Sequence, residues 1–110
     1  LDEDEKIACY IALGYGETQG VGHKIKTVEQ VSNASDVTPL WFRKGVEAAL
    51  LAPTAVNQQK FSFEYAGMKN SRHLVHAKKG FSVIGYTQMD LGIAKYHFEI
   101  GAGKENFEWI

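Results

Sequence analysis

The chain has 110 residues, 45% of them hydrophobic, which suits one compact domain and leaves little for two independent cores. Thirteen Asp and Glu against twelve Lys and Arg give a formal net charge of −1, so no global positive field draws the chain to nucleic acid or to an anionic membrane. A single cysteine excludes a disulfide within the chain, and no segment approaches the roughly 20 apolar residues that span a bilayer.

The acidic start, Leu1-Asp2-Glu3-Asp4-Glu5, is unlike the basic start of a secretory signal, and a soluble, reducing, cytoplasmic setting is the expectation. Residues 6–13 are apolar and β-prone, and Gly14-Tyr15-Gly16 stops them. They read as a buried strand that carries Cys9 inward as a structural thiol. Residues 17–26 hold Gly20 and Gly22 with His23, Lys24 and Lys26, a polar loop. In an extended loop, residues two apart project to the same side, so Lys24 and Lys26 could face one anion.

Turn formers at 33–38 lead into Thr38-Pro39, which predicts an N-cap at Thr38 and the first helical residue at Pro39. The helix runs to about Leu51 with an apolar stripe at Phe42, Val46, Ala49 and Leu50, and Pro53 closes it. Phe61-Ser62-Phe63-Glu64-Tyr65 alternates as a half-buried strand does. A turn at 67–70 and strands over 72–77 and 81–85 would complete a meander. From about Met89 to Ala102 two apolar stripes, Met89-Ile93-Tyr96-Ile100 and Leu91-Ala94-Phe98-Ala102, predict a helix buried nearly all round. Close packing would explain Gly92, Gly101 and Gly103.

Between the first helix and the Phe61 strand lies a polar connector, Ala52-Pro53-Thr54-Ala55-Val56-Asn57-Gln58-Gln59-Lys60. Asn57, Gln58 and Gln59 are consecutive amides. Such groups both donate and accept, as the pyrimidine edge of a flavin requires, and they equally serve to satisfy turn backbone. His97 and Asp90, seven apart, share a helical face as either part of a proton relay or satisfied structural groups. His73 and His76 would point to opposite faces of a strand, which argues against a metal pair. No nucleophile-base order, phosphate-loop glycine motif or zinc spacing is present, and no catalytic residue stands out.

The connector and Phe61-Ser62-Phe63 together resemble the nitroreductase segment A-P-S-(S/A)-x-N-x-Q-P-W-x-F, with Lys60-Phe61 in place of Pro-Trp. Ile11-Ala12-Leu13-Gly14-Tyr15-Gly16, then Lys24-Ile25-Lys26 and Val28-Glu29-Gln30-Val31, is similar to a second stretch of that family. Residues 89–99 resemble the D-x-G-I-A-x-x-H-F-E helix of its fused, two-lobed branch. The resemblance implies an α+β fold, a mainly antiparallel sheet flanked by helices. It implies that residues 1–110 form one C-terminal lobe, a partial domain: 1–37 a strand and basic loop, 38–110 a helix, sheet and buried helix.

It also implies an FMN-dependent oxidoreductase that uses NAD(P)H to reduce nitroaromatic or quinone-type acceptors. Asn57 would bond the flavin edge, Thr54 and Gln59 would lie nearby, and Lys24 and Lys26 would meet the phosphate. No metal is implied. The Arg-Arg-Ser-x-(Arg/Lys) phosphate motif of that branch does not occur here, so the site is expected to need an N-terminal lobe or the second subunit of a dimer. The alternatives are a lobe that has lost FMN and serves as a binding or structural module, and a different flavin reaction on the same fold.

Overall fold

A computed structural model describes residues 2–110; Leu1, the first residue of the acidic start, lies outside the described residues. The elements in chain order are α1 (Val28–Val31), α2 (Leu40–Ala49), β1 (Phe61–Lys69), β2 (Arg72–Lys79), α3 (Thr87–Ala102) and β3 (Glu108–Trp109). Short 3-10 turns lie at Ala55–Asn57 and Lys104–Asn106. The sheet order is β1-β2-β3, with β1 and β2 antiparallel and the short β3 parallel to β2. The fold is α+β, as expected, with α2 and α3 packed together against the sheet. No helix among the described residues is long and apolar enough to cross a membrane.

Each packed element follows from local sequence. In α1 a capping box forms: the Thr27 hydroxyl accepts from the Gln30 N–H, and the Gln30 side chain accepts from the Thr27 N–H. In α2 the stripe Phe42, Val46, Ala49 and Leu50 is buried as its spacing predicts. Its start differs by one residue. Pro39, extended at ψ 146°, is the N-cap, and the Thr38 hydroxyl instead closes a turn with the Ser35 backbone. The helix ends at Ala49, shortly before Pro53.

Phe61 and Phe63 are buried on β1, as the alternation predicts. The strand runs further than expected, to Lys69, because a bulge between Tyr65 and Met68 absorbs Gly67 at φ 84°. Asn70 and Ser71, at φ 54° and 64°, then form a two-residue hairpin turn of the primed kind, not the 67–70 turn. On the outer side of β1, Ser32 bridges Phe63, and the Asn33 amide both accepts from and donates to the Tyr65 backbone.

The core is an aromatic stack between helices and sheet. Phe42, Phe63, Phe98 and Phe107 are fully buried, with Phe98 centred 4.8 Å from Phe63 and 5.2 Å from Phe107. Two glycines let α2 and α3 approach. A Cβ on Gly101 would lie 2.5 Å from the Ala48 Cβ and 2.7 Å from the Lys44 carbonyl, and one on Gly45 2.8 Å from the Phe98 ring. Close packing therefore explains Gly101. It does not explain Gly92, which faces open space, while Gly103 serves as the C-cap at φ 88°.

Four expectations are corrected. Residues 6–13 form no strand: a strand needs a neighbour for its N–H and C=O groups, and among the described residues none pairs with them. Cys9 is accordingly exposed, not buried. Residues 81–85 form a loop, with Phe81 and Val83 exposed, because β2 takes β3 as its second neighbour and no meander continues. On α3 only the stripe Asp90, Ala94, Phe98 and Ala102 is buried, while Met89, Tyr96 and Ile100 face outward, because α2 and the sheet cover one side alone. The radius of gyration, 16.0 Å, exceeds the ~13 Å of a compact chain this long, consistent with the extended arm before α1.

Candidate functional site

The polar connector is a tight turn held in an unusual backbone conformation. Val56, Asn57 and Gln59 have φ of 43°, 55° and 47°, a left-handed region that costs a non-glycine residue on the order of 1 kcal/mol or more. Strong side-chain ties hold it there. The Thr54 hydroxyl accepts from the Gln59 N–H at 3.0 Å across the turn. Gln59, only 4% exposed, points its amide at the 24–26 loop. Its Oε1 accepts from the Lys26 N–H at 2.9 Å, and its Nε2 donates to the Lys24 carbonyl at 2.8 Å and to Asn57 Oδ1 at 2.9 Å. Asn57 Nδ2 donates to the same Lys24 carbonyl at 3.0 Å, and the Lys26 ammonium to the Gln59 carbonyl at 3.0 Å.

All five residues singled out from sequence, Lys24, Lys26, Thr54, Asn57 and Gln59, thus belong to one hydrogen-bonded network across two distant segments. The lysines enter it largely through their backbone. Asp90 and Gln58 anchor the turn further, as structural groups. The carboxylate of Asp90, at the start of α3 and 4% exposed, accepts from the Ala55 N–H with both oxygens at 3.1 Å and from Gln58 Nε2 at 2.7 Å. Gln58 Nε2 also donates to the Gly85 carbonyl at 3.0 Å. No sequence spacing announces contacts between residues so far apart.

A family described as "Putative TM nitroreductase" matches residues 1–102, a span that holds the whole network. The chain belongs to this nitroreductase family. No curated protein and no solved structure matches it. Membership assigns it to the oxidoreductases, with nitroreductase-like function in general, in a family that generally uses flavin.

At four of the five positions the side chains keep donors or acceptors of the kind a flavin mononucleotide would need. Asn57 is exposed, and its amide keeps one N–H and one acceptor site beyond its internal bonds. Thr54 keeps its hydroxyl proton. The exposed Lys24 ammonium forms no ion pair among the described residues, and that of Lys26 keeps two donors. Gln59 is the exception: both its amide protons and its oxygen are engaged inside the protein, so it supports the turn from behind. Lys60, beside the turn, is exposed and Phe61 is buried.

A concavity of about 720 Å³ lies elsewhere, between α1 and the start of α2, lined by Glu29, Ser35, Asp36, Thr38 and Arg43 among others, and shares no residue with the turn. His97 Nδ1 donates to the Ile93 carbonyl within its own helix, and Asp90 is engaged by the turn, so the two are separately satisfied and form no relay. His73 Nδ1 meets the Tyr65 hydroxyl at 2.7 Å beside Trp41. Among the described residues no group of three His, Cys, Asp or Glu side chains is placed to hold a metal ion.

Proposed function

We propose that this chain carries part of the FMN site of an NAD(P)H-dependent oxidoreductase that reduces nitroaromatic or quinone-type acceptors. The observation that supports this best is the turn at 54–59, whose strained backbone presents the Asn57 amide outward beside the cationic loop of Lys24 and Lys26. When bound, FMN supplies the two-electron chemistry, taking hydride from NAD(P)H and delivering it to the acceptor. The chain's own residues bind and orient. Asn57 pairs with the ring edge, with Thr54 beside it, and the two ammonium groups neutralise the phosphate by charge-assisted bonds. Gln59 holds Asn57 in register with the Lys24 carbonyl. Exposed Tyr10, Ile11, Leu13 and Tyr15 support a site completed by a further lobe or a second subunit that covers them.

Parallel fluorescence titrations with FMN and riboflavin test this reading. FMN is expected to bind more tightly than riboflavin, and Asn57→Ala to weaken both by about 1–3 kcal/mol. Lys24→Ala with Lys26→Ala should remove the preference for FMN over riboflavin, read as the ratio of the two affinities because Lys26 also ties the Gln59 carbonyl. A wild-type protein that binds neither flavin would overturn the reading in favour of a non-catalytic lobe. Tight, stoichiometric binding by a proven monomer of this chain would overturn the shared site.

A further inference from the structure

The carboxylate of Asp90 is out of water, on the first turn of α3, where the N-terminal partial charge of the helix favours an anion. Its partners are not on its own helix. They are the Ala55 N–H and Gln58 Nε2, the residues two before and one after Asn57. The 2.7 Å bond to Gln58 is short and charge-assisted, so it is among the strong contacts of the turn. The second Gln58 proton reaches the Gly85 carbonyl, which ties the 80–86 loop to the same point.

With both protons facing acceptors, the Gln58 amide has one allowed orientation, since a flip would set its oxygen against the carboxylate and the Gly85 carbonyl. That orientation leaves Gln58 Oε1 buried without a partner. An orphaned buried acceptor is unfavourable, and so is the left-handed run Val56-Asn57. Both are retained where the carboxylate is the compensating group.

The geometry points to Asp90 as a positioning residue: from α3 it grips the turn on both sides of Asn57 and sets the direction in which the Asn57 amide is presented to a flavin. The inference rests on the proposed FMN reading. An amide at position 90 replaces the carboxylate only in part. An Asn oxygen at the place of Oδ2 can accept from both Ala55 N–H and Gln58 Nε2, but its Nδ2 then sets a donor against the Ala55 N–H, and both bonds lose the help of the negative charge.

The test is amide hydrogen exchange, read residue by residue by NMR on the full chain, combined with riboflavin titration, for wild type, Asp90→Asn and Gln58→Ala. Asp90→Asn should speed exchange at Ala55 and Gln59 about tenfold, leave Val75 and Phe98 protected, and weaken riboflavin about tenfold. Gln58→Ala, which leaves α3 intact, should give a smaller change at the same two amides and carries the test if Asp90→Asn does not fold. Unchanged exchange at Ala55 overturns the inference. So does equal loss of protection at Ala55, Val75 and Phe98, which marks Asp90 as a general stabiliser, and so does faster exchange at Ala55 with unaltered riboflavin affinity. Absence of riboflavin binding in the wild type overturns the flavin reading instead, and the exchange rates then decide by themselves whether Asp90 holds the turn.

Discussion

Residues 7–13 and β1 make an instructive pair. Ile7-Ala8-Cys9-Tyr10-Ile11-Ala12-Leu13 is the more continuous apolar run, yet Leu13 is 94% exposed, whereas Phe63, in an alternating run, is 1% exposed. The difference lies in what each meets. β1 has β2 as a hydrogen-bonded neighbour, α3 on its buried face and Asn33 on its outer edge. The earlier run meets none of these. Apolar composition gives a segment something to gain from burial, but a strand forms only where another chain segment supplies both a ladder and a face.

The contrast is sharpest in stability. Phe98→Ala empties the centre of the aromatic stack and is expected to cost about 3–5 kcal/mol, close to the whole stability of a small domain. Leu13→Ala, which removes a larger fraction of exposed side chain, should stay within about 0.5 kcal/mol. Urea unfolding midpoints of the two variants measure the gap. A clear destabilisation by Leu13→Ala in the isolated chain would mean that the arm packs after all, and the comparison would break.

The two helical glycines of α3 repeat the comparison at a smaller scale. Gly101→Ala places a methyl against the Ala48 side chain and the Lys44 carbonyl, backbone that cannot move aside, and should cost about 1–3 kcal/mol. Gly92→Ala meets nothing within 4 Å, so helix propensity acts alone and the variant should gain up to about 1 kcal/mol. Thermal unfolding of both decides the matter. Shifts of the same sign would show that contact with α2 is not what separates these positions.

The same distinction marks what was legible in the sequence. α2 and β1 were readable because their periodicities coincide with the side that is covered, at Phe42 and Val46 or at Phe61 and Phe63. Residues 6–13, residues 81–85 and the second apolar stripe of α3 depart from their expected burial because apolarity alone does not supply a partner to bury against. α1 carried its signal openly in Thr27 and Gln30, a capping box that a search for longer helices passes over. At the site, the amides and lysines were legible as a set, since composition and motif both mark them. How they join was not. The Lys24 carbonyl is a backbone group with no sequence signature, and Asp90 reaches Ala55 across 35 residues of chain.

The smallest effect belongs to an exposed pair next to the core. Glu29 sits in the first turn of α1, and its carboxyl is held below its ordinary value of 4.5, first by a hydrogen bond from its own backbone N–H and then by Arg43, whose Nη2 lies 3.2 Å away. A carboxyl whose pKa falls on folding stabilises the folded state while ionised. That contribution is present above the unfolded value and is lost as pH falls through the lower, folded one. The pair is open to solvent, so salt should screen it and the effect should be slight. Glu29→Gln should therefore lower the urea midpoint a little in neutral, low-salt buffer, and the difference from wild type should vanish well below pH 4.5. A difference of the same size in acid would show that Glu29 acts through packing instead of charge, and would move it from the open surface to the covered side of the comparison.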